Sequence, residues 1–196
     1  MKTLIFLLEE KSAKECLTNL LPRLLEDRTN IDVTNIDIKY IPFEGKCDLD
    51  KRIELYVRNW KRPETKFVVL RDQDAGDCKK IKKTLAEKCA NAGHPDALIR
   101  IACRELESFY LGDIEAVRRA FPHCSASPET KKFRDPDDIG SPSDELKKIT
   151  GGAYQKIKGS REIAPFLKLD GSNRSKSFNA LVNGISRILK GFSADL

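Results

Sequence analysis

The chain alternates short apolar runs with longer stretches in which apolar residues recur every three or four positions. Lys2 to Glu9 is the first run, and its centre, Leu4-Ile5-Phe6-Leu7-Leu8, has no polar alternation. Such a run reads as a strand buried on both faces of a parallel sheet. Behind it, Ala13, Cys16, Leu17, Leu20, Leu21, Leu24 and Leu25 fall on one helical face. Ser12, with Glu15 three residues on, predicts an N-cap and capping box, and Pro22 predicts a kink or a split inside that helix. Ile31 to Phe43 is a second strand region, whose partial alternation suits a sheet edge. A helix follows from Cys47-Asp48-Leu49-Asp50 to about Trp60, and Pro63 ends it. Phe67-Val68-Val69-Leu70 is the third strand, and a helix from Asp77 to about Ala92 comes next. Ala97 to Cys103 is the fourth strand, followed by a helix from about Glu107 to Phe121 with a break at Gly112-Asp113.

The first 121 residues therefore read β-α-β-α-β-α-β-α. That order predicts an α/β, Rossmann-like domain with a mostly parallel four-stranded sheet flanked by helices. From Pro122 the composition shifts: Pro128, Pro136, Pro142 and Gly140 mark irregular chain, and residues 122–196 read as an extension. Ser143-Asp144-Glu145 predicts a short helix ending before Gly151-Gly152. Ser175 to Leu189 predicts an amphipathic helix packed back on the domain through Phe178, Leu181, Val182, Ile185, Ile188 and Leu189.

Acids stand at three of the four strand ends: Glu9 with Glu10, Asp72 with Asp74, and Glu105 with Glu107. Ligands of open α/β sheets bind beyond the carboxyl ends of the strands. Side chains two apart on a strand share a face, so Asp72 and Asp74 should point at one spot. Two carboxylates there repel unless a cation sits between them, and Mg²⁺ prefers carboxylate oxygen and water. Asp77, Glu105 and Glu107 are further candidate ligands. The competing reading is a polar strand-to-helix turn, with Asp74 or Asp77 capping the next helix. No Gly-x-x-x-x-Gly-Lys phosphate loop and no Gly-x-Ser-x-Gly elbow occurs, and neither His94 nor His123 lies near a strand end beside a nucleophile. Carboxylates from several strand ends with lysines nearby are what metal-assisted phosphodiester chemistry requires.

Composition narrows the classes further. Hydrophobic residues are 40% and charged residues 34%, an ordinary balance for a soluble globular protein. The Leu4–Leu8 run is too short to span a bilayer and lacks a cleavage site, so neither a membrane segment nor an export signal is expected. The six cysteines show no close pairing, which reads as reduced thiols in a cytoplasmic protein. A net charge of +6 permits a polyanionic partner. Lys79, Lys80, Lys82 and Lys83, with Lys156, Lys158 and Arg161, are the candidate contacts to a nucleic-acid backbone. A solvated helix face is the commoner explanation of such lysines.

An apolar strand ending in Glu, then a helix, then an apolar strand ending in Asp-x-Asp, resembles a TOPRIM domain over Lys2 to about Phe121. Topoisomerases, bacterial primases and the overcoming-lysogenization-defect nucleases share that fold. More closely, Leu-Leu-Glu-Glu-Lys-Ser-Ala-Lys-Glu, Arg-Asp-Gln-Asp-Ala-Gly-Asp-Cys-Lys and Arg-Glu-Leu-Glu-Ser-Phe-Tyr-Leu-Gly-Asp resemble a small TOPRIM-like family. Its members are often encoded beside ABC- or AAA-type ATPases in prokaryotic defence loci. The resemblance implies a Mg²⁺-dependent nuclease or nuclease subunit, with Mn²⁺ able to substitute, and an ATPase partner. It implies that Asp72 and Asp74 hold the ion and that Glu9 serves as general acid or base; the closeness of adjacent strand ends adds that Glu105 or Glu107 completes the shell or orients a second ion. The residue after that Glu is normally Gly in TOPRIM enzymes, and Glu10 stands there instead, so either Glu9 or Glu10 could face the metal. The alternative is a non-catalytic subunit that binds nucleic acid or the ATPase.

Overall fold

The computed structural model describes residues 2–28 and 36–194. Four strands form one sheet: β1 (Lys2–Leu8), β2 (Ile36–Pro42), β3 (Thr65–Asp72) and β4 (Leu98–Ala102), in the order β2-β1-β3-β4. Every neighbouring pair is parallel, with Leu8 opposite Leu70 and Asp72 opposite Ala102. The helices between them are α1 (Lys11–Arg28), α2 (Lys46–Asn59) and α3 (Cys78–Asn91). This is the parallel α/β sheet that the alternation of elements predicts. The beginning of the expected second strand, Ile31 to Asn35, lies outside the described residues. β2 is at a sheet edge and half-buried along its length, in keeping with its partial alternation.

The sheet is covered on both sides. Leu4, Phe6, Leu8, Val68 and Leu70 pack toward α1, whereas Ile5, Leu7, Phe67 and Val69 pack toward Leu49, Ile53 and Val57 of α2 and Leu85 of α3. Neither face can carry polar residues, which is why β1 and β3 read as unbroken apolar runs. The capping box does not form. α1 already begins at Lys11, so Ser12 sits inside the first turn with its hydroxyl directed at Glu10, and Glu15 accepts from Arg161 instead. The helix runs through Pro22 without splitting.

After β4 come α4 (Ser108–Leu111) and α5 (Ile114–Ala120), separated by Gly112-Asp113 as the sequence indicates. Asp113 caps α5 by accepting from the Ala116 N–H. The extension holds α6 (Pro142–Ile149), α7 (Lys156–Ile163) and α8 (Lys176–Ala194), with short 3₁₀ turns ahead of α6 and after α7. It is not an accessory. Leu146, Tyr154, Ile163, Phe178, Leu181, Val182, Ile185 and Leu189 lie in the same core as Leu4, Phe6 and Leu8. The α7 and α8 helices complete the layer that α1 begins on one face of the sheet.

Phe178 tests this shared core. Its ring is fully buried, 5.3 Å from that of Phe109. Phe178→Ala should cost about 3–5 kcal/mol in denaturant unfolding, with a single transition. A loss below about 1 kcal/mol, or two separate transitions, would show that the extension folds apart from the sheet.

Candidate metal centre

The chain leaves β1 through α1 to β2 on one side, then returns through α2 to β3 on the other. The carboxyl ends of β1 and β3 therefore flank a topological switch point, where such sheets form a crevice. Glu9 and Asp72 stand there. The Glu9 N–H extends the ladder by donating to Leu70 O at 3.1 Å. The Glu9 side chain folds inward and its Oε2 accepts from the Asp72 N–H at 2.9 Å. Glu9 is only 7% exposed.

Asp72 continues the parity of Val68 and Leu70, which places it on the side of the sheet covered by α1 and the extension. Arg71 points the other way. Its guanidinium holds both Asp50 carboxylate oxygens at 3.2 Å and also donates to Asp72 O at 2.7 Å. Glu107, just ahead of α4, brings a further carboxylate to the Asp72 side. It is 1% exposed. Its Oε1 accepts from the Tyr154 hydroxyl at 2.9 Å, while its Oε2 is buried without a partner.

These acids perturb one another. Burial, reinforced by Glu9 and Glu107, pushes the Asp72 carboxyl well above the ordinary carboxylate range. Burial also raises Glu9 and Glu107, against the Asp72 N–H and Arg71 in the first case and Lys156 and Tyr154 in the second. The opposing charge comes from Lys156, the first residue of α7. Its ammonium lies 3.6 Å from Glu10 Oε2. Burial would lower its pKa, but Glu107, Glu10, Asp72 and Glu105 together raise it.

The other candidates are placed differently. Asp74 does not continue the strand: its φ is +53°, so the alternation that would align it with Asp72 ends at residue 72. Its carboxylate binds Lys46 Nζ at 2.8 Å, though it still adds to the negative field on Glu9. Asp77 caps α3, accepting from the Lys79 and Lys80 N–H groups at 2.8 and 3.1 Å. Glu105 accepts from the Ser143 N–H at 2.8 Å. Among the described residues, no group of three or more His, Cys, Asp or Glu side chains is gathered tightly enough, as it stands, to ligate one ion.

A family model matches residues 8–186. The chain belongs to the DUF4276 family, described as a domain of unknown function. No curated protein and no solved structure matches it. The span matched in DUF4276 covers every acid named above and runs from the end of β1 into α8, so β2, β3, β4 and most of the extension fall within one family domain.

The basic residues of this DUF4276 chain divide. Lys79, Lys80, Lys82 and Lys83 are exposed on α3, and of their ammonium groups only that of Lys83 pairs with an acid, Glu87 at 3.8 Å, among the described residues. Lys158 pairs with Glu162 at 3.7 Å and Arg161 with Glu15 at 2.8 Å. Lys156, grouped by sequence with those two, is part of the acidic centre instead. Sequence reasoning missed the inward turn of Lys156 and the roles of Tyr154 and Lys46. Tyr154 is 47 positions from its partner Glu107, and no local pattern carries that pairing.

The raised carboxyls fix the sign of a pH effect. A carboxyl whose folded pKa exceeds its unfolded one destabilises the fold as pH rises through that interval. For Asp72 the loss begins near its ordinary value of 3.8 and continues up to its raised value. Without divalent cations, Asp72→Asn should therefore melt at a higher temperature than the wild type at neutral pH. The gap should close below pH 3.8. A variant less stable than wild type at every pH would mean that the carboxylate is held by attractive contacts.

Proposed function

We propose that the chain is a divalent-metal-dependent phosphodiesterase acting on nucleic acid, a nuclease or nuclease subunit of TOPRIM type. The observation that carries this reading is the convergence of Glu9, Asp72 and Glu107 at the switch point, with Glu107 Oε2 buried and unpartnered. An all-oxygen donor set with excess negative charge and an orphaned carboxylate oxygen suits a hard cation such as Mg²⁺, with Mn²⁺ as a substitute. Asp72 and Glu107 would hold it, with Glu9 beside them. When bound, the ion neutralises phosphate oxygens and polarises water.

The chain's own groups supply the rest. Glu9 is oriented by the Asp72 N–H, and its raised pKa brings it closer to the pH at which it can exchange a proton. Glu10 is the less suited of the pair, because it is turned to Lys156. Lys156 holds a positive charge fixed by α7 over the same spot, where it would stabilise negative charge developing on the phosphate. An ABC- or AAA-type ATPase partner and a role in defence belong to this proposal as well.

A second reading, a non-catalytic subunit that binds nucleic acid or the ATPase, draws on the engagement of Asp74 by Lys46. The acid of the expected pair that a TOPRIM enzyme would use is then already neutralised.

Plasmid, single-stranded DNA and RNA, each incubated with Mg²⁺, Mn²⁺ or EDTA, separate these readings. Hydrolysis should require the metal and fall about a hundredfold or more in Asp72→Asn and Glu107→Gln. Asp77→Asn should keep nearly full activity, since that residue only caps α3. Full activity in Asp72→Asn would overturn the catalytic reading. Salt-sensitive binding without hydrolysis under any metal would establish the second.

A further inference from the structure

The loops that follow β3 and β4 hold each other in an unusual conformation. Asp74 and Arg104 both adopt left-handed backbone, with φ of +53° and +60°. The Asp74 N–H donates to Arg104 O at 2.7 Å, and Gln73 N–H donates to Ala102 O at 2.9 Å. Gln73 Oε1 accepts from the Arg104 N–H at 3.2 Å, while Gln73 Nε2 holds Gly76 O at 3.0 Å. A left-handed position suits Gly or Asn and strains the backbone of a larger residue. Nothing in the fold offsets that strain through the Arg104 side chain. It is half-buried, yet its guanidinium makes no hydrogen bond or ion pair among the described residues.

The other cations around the centre are engaged: Lys46 by Asp74, Arg71 by Asp50, and Lys156 by the acids. Arg104 alone among these four has its charge uncommitted. Gln73 bridges the Arg104 N–H to Gly76 O, and Asp77, next to Gly76, caps α3 through the Lys79 and Lys80 N–H groups, so the β4 end adjoins the start of α3, where those lysines are exposed. The acids at the β1 and β3 ends, Arg104, and the α3 lysines thus follow one another across the carboxyl edge of the sheet.

We propose that Arg104 binds a backbone phosphate of single- or double-stranded nucleic acid, one that flanks the phosphodiester at Asp72. The strand would then run from the acidic centre over the β4 end toward Lys79 and Lys80. The identity of the ligand rests on the function proposed above. The planar guanidinium fits a phosphate through paired hydrogen bonds, which explains an arginine where glycine would be easier for the backbone.

The test uses the full chain in CaCl₂, with fluorescein-labelled oligothymidine and a duplex of the same length, followed by anisotropy across a salt series. Arg104→Gly should weaken binding about tenfold or more and reduce the salt slope by roughly one phosphate contact. Arg104→Lys should recover part of the loss. The melting temperature of Arg104→Gly should equal or exceed that of the wild type, because φ is positive there. If Arg104→Gly does not fold, Arg104→Asn, which tolerates left-handed backbone, carries the comparison. Wild-type affinity and salt slope in these variants, or no binding of either probe by the wild type, would overturn the proposal. Mn²⁺ binding followed by electron paramagnetic resonance runs in parallel. It should be equal in the wild type and Arg104→Gly and lost in Asp72→Asn. Failure of Mn²⁺ to bind the wild type would sink the metal reading while leaving the Arg104 comparison readable.

Discussion

Like charges brought out of water at one point set the terms for this molecule. Glu9, Asp72 and Glu107 lie within electrostatic reach of one another beyond the ends of a sheet whose interior is otherwise apolar, and two of the three, Glu9 and Glu107, are almost wholly buried. Desolvation and mutual repulsion both oppose their ionised forms. The fold meets this with fixed dipoles and one ammonium: the Asp72 N–H on Glu9, the Tyr154 hydroxyl on Glu107, and Lys156 among the acids. One carboxylate oxygen, Glu107 Oε2, receives nothing. Arrangements that a folded protein leaves this far from neutral concentrate at functional sites, because stability alone would select against them.

The extension matters for the same reason. Tyr154 and Lys156 come from the entry to α7, and α7 packs on α1 and shares its core. Residues 122–194 therefore supply both hydrophobic cover for one sheet face and the counter-charge for the acids. Gly159 shows how closely this wall is fitted: a Cβ there would meet the Tyr154 ring at 2.2 Å. Any side chain at that position would displace the hydroxyl that holds Glu107.

What could be read in the sequence follows the range of the interactions involved. Strand identity, the parallel sheet and the edge position of β2 come from apolar runs and their alternation, which are local. The gathering of acids at strand ends follows from that topology, so Glu9 and Asp72 were legible once the strands were. The alignment of Asp74 with Asp72 does not follow from period-two logic, which holds only within a strand, because the chain turns left-handed two residues after β3 ends. Asp77 had a local signal for its capping role, and the cap is what forms. Lys156 reads only as one of a basic stretch with Lys158 and Arg161, and its place among the acids is not legible there. Its partners Glu10, Asp72 and Glu107 lie far away along the chain.

The central claim is that the charge imbalance at the switch point is a site for a hard divalent cation. Crystals grown with Mn²⁺ and measured at the manganese absorption edge test it most directly. The account predicts an anomalous peak within coordination distance of Asp72 and Glu107, with Glu107 Oε2 among the ligands. An ordered centre with no peak there, and with Lys156 still seated among the acids at saturating Mn²⁺, would contradict it.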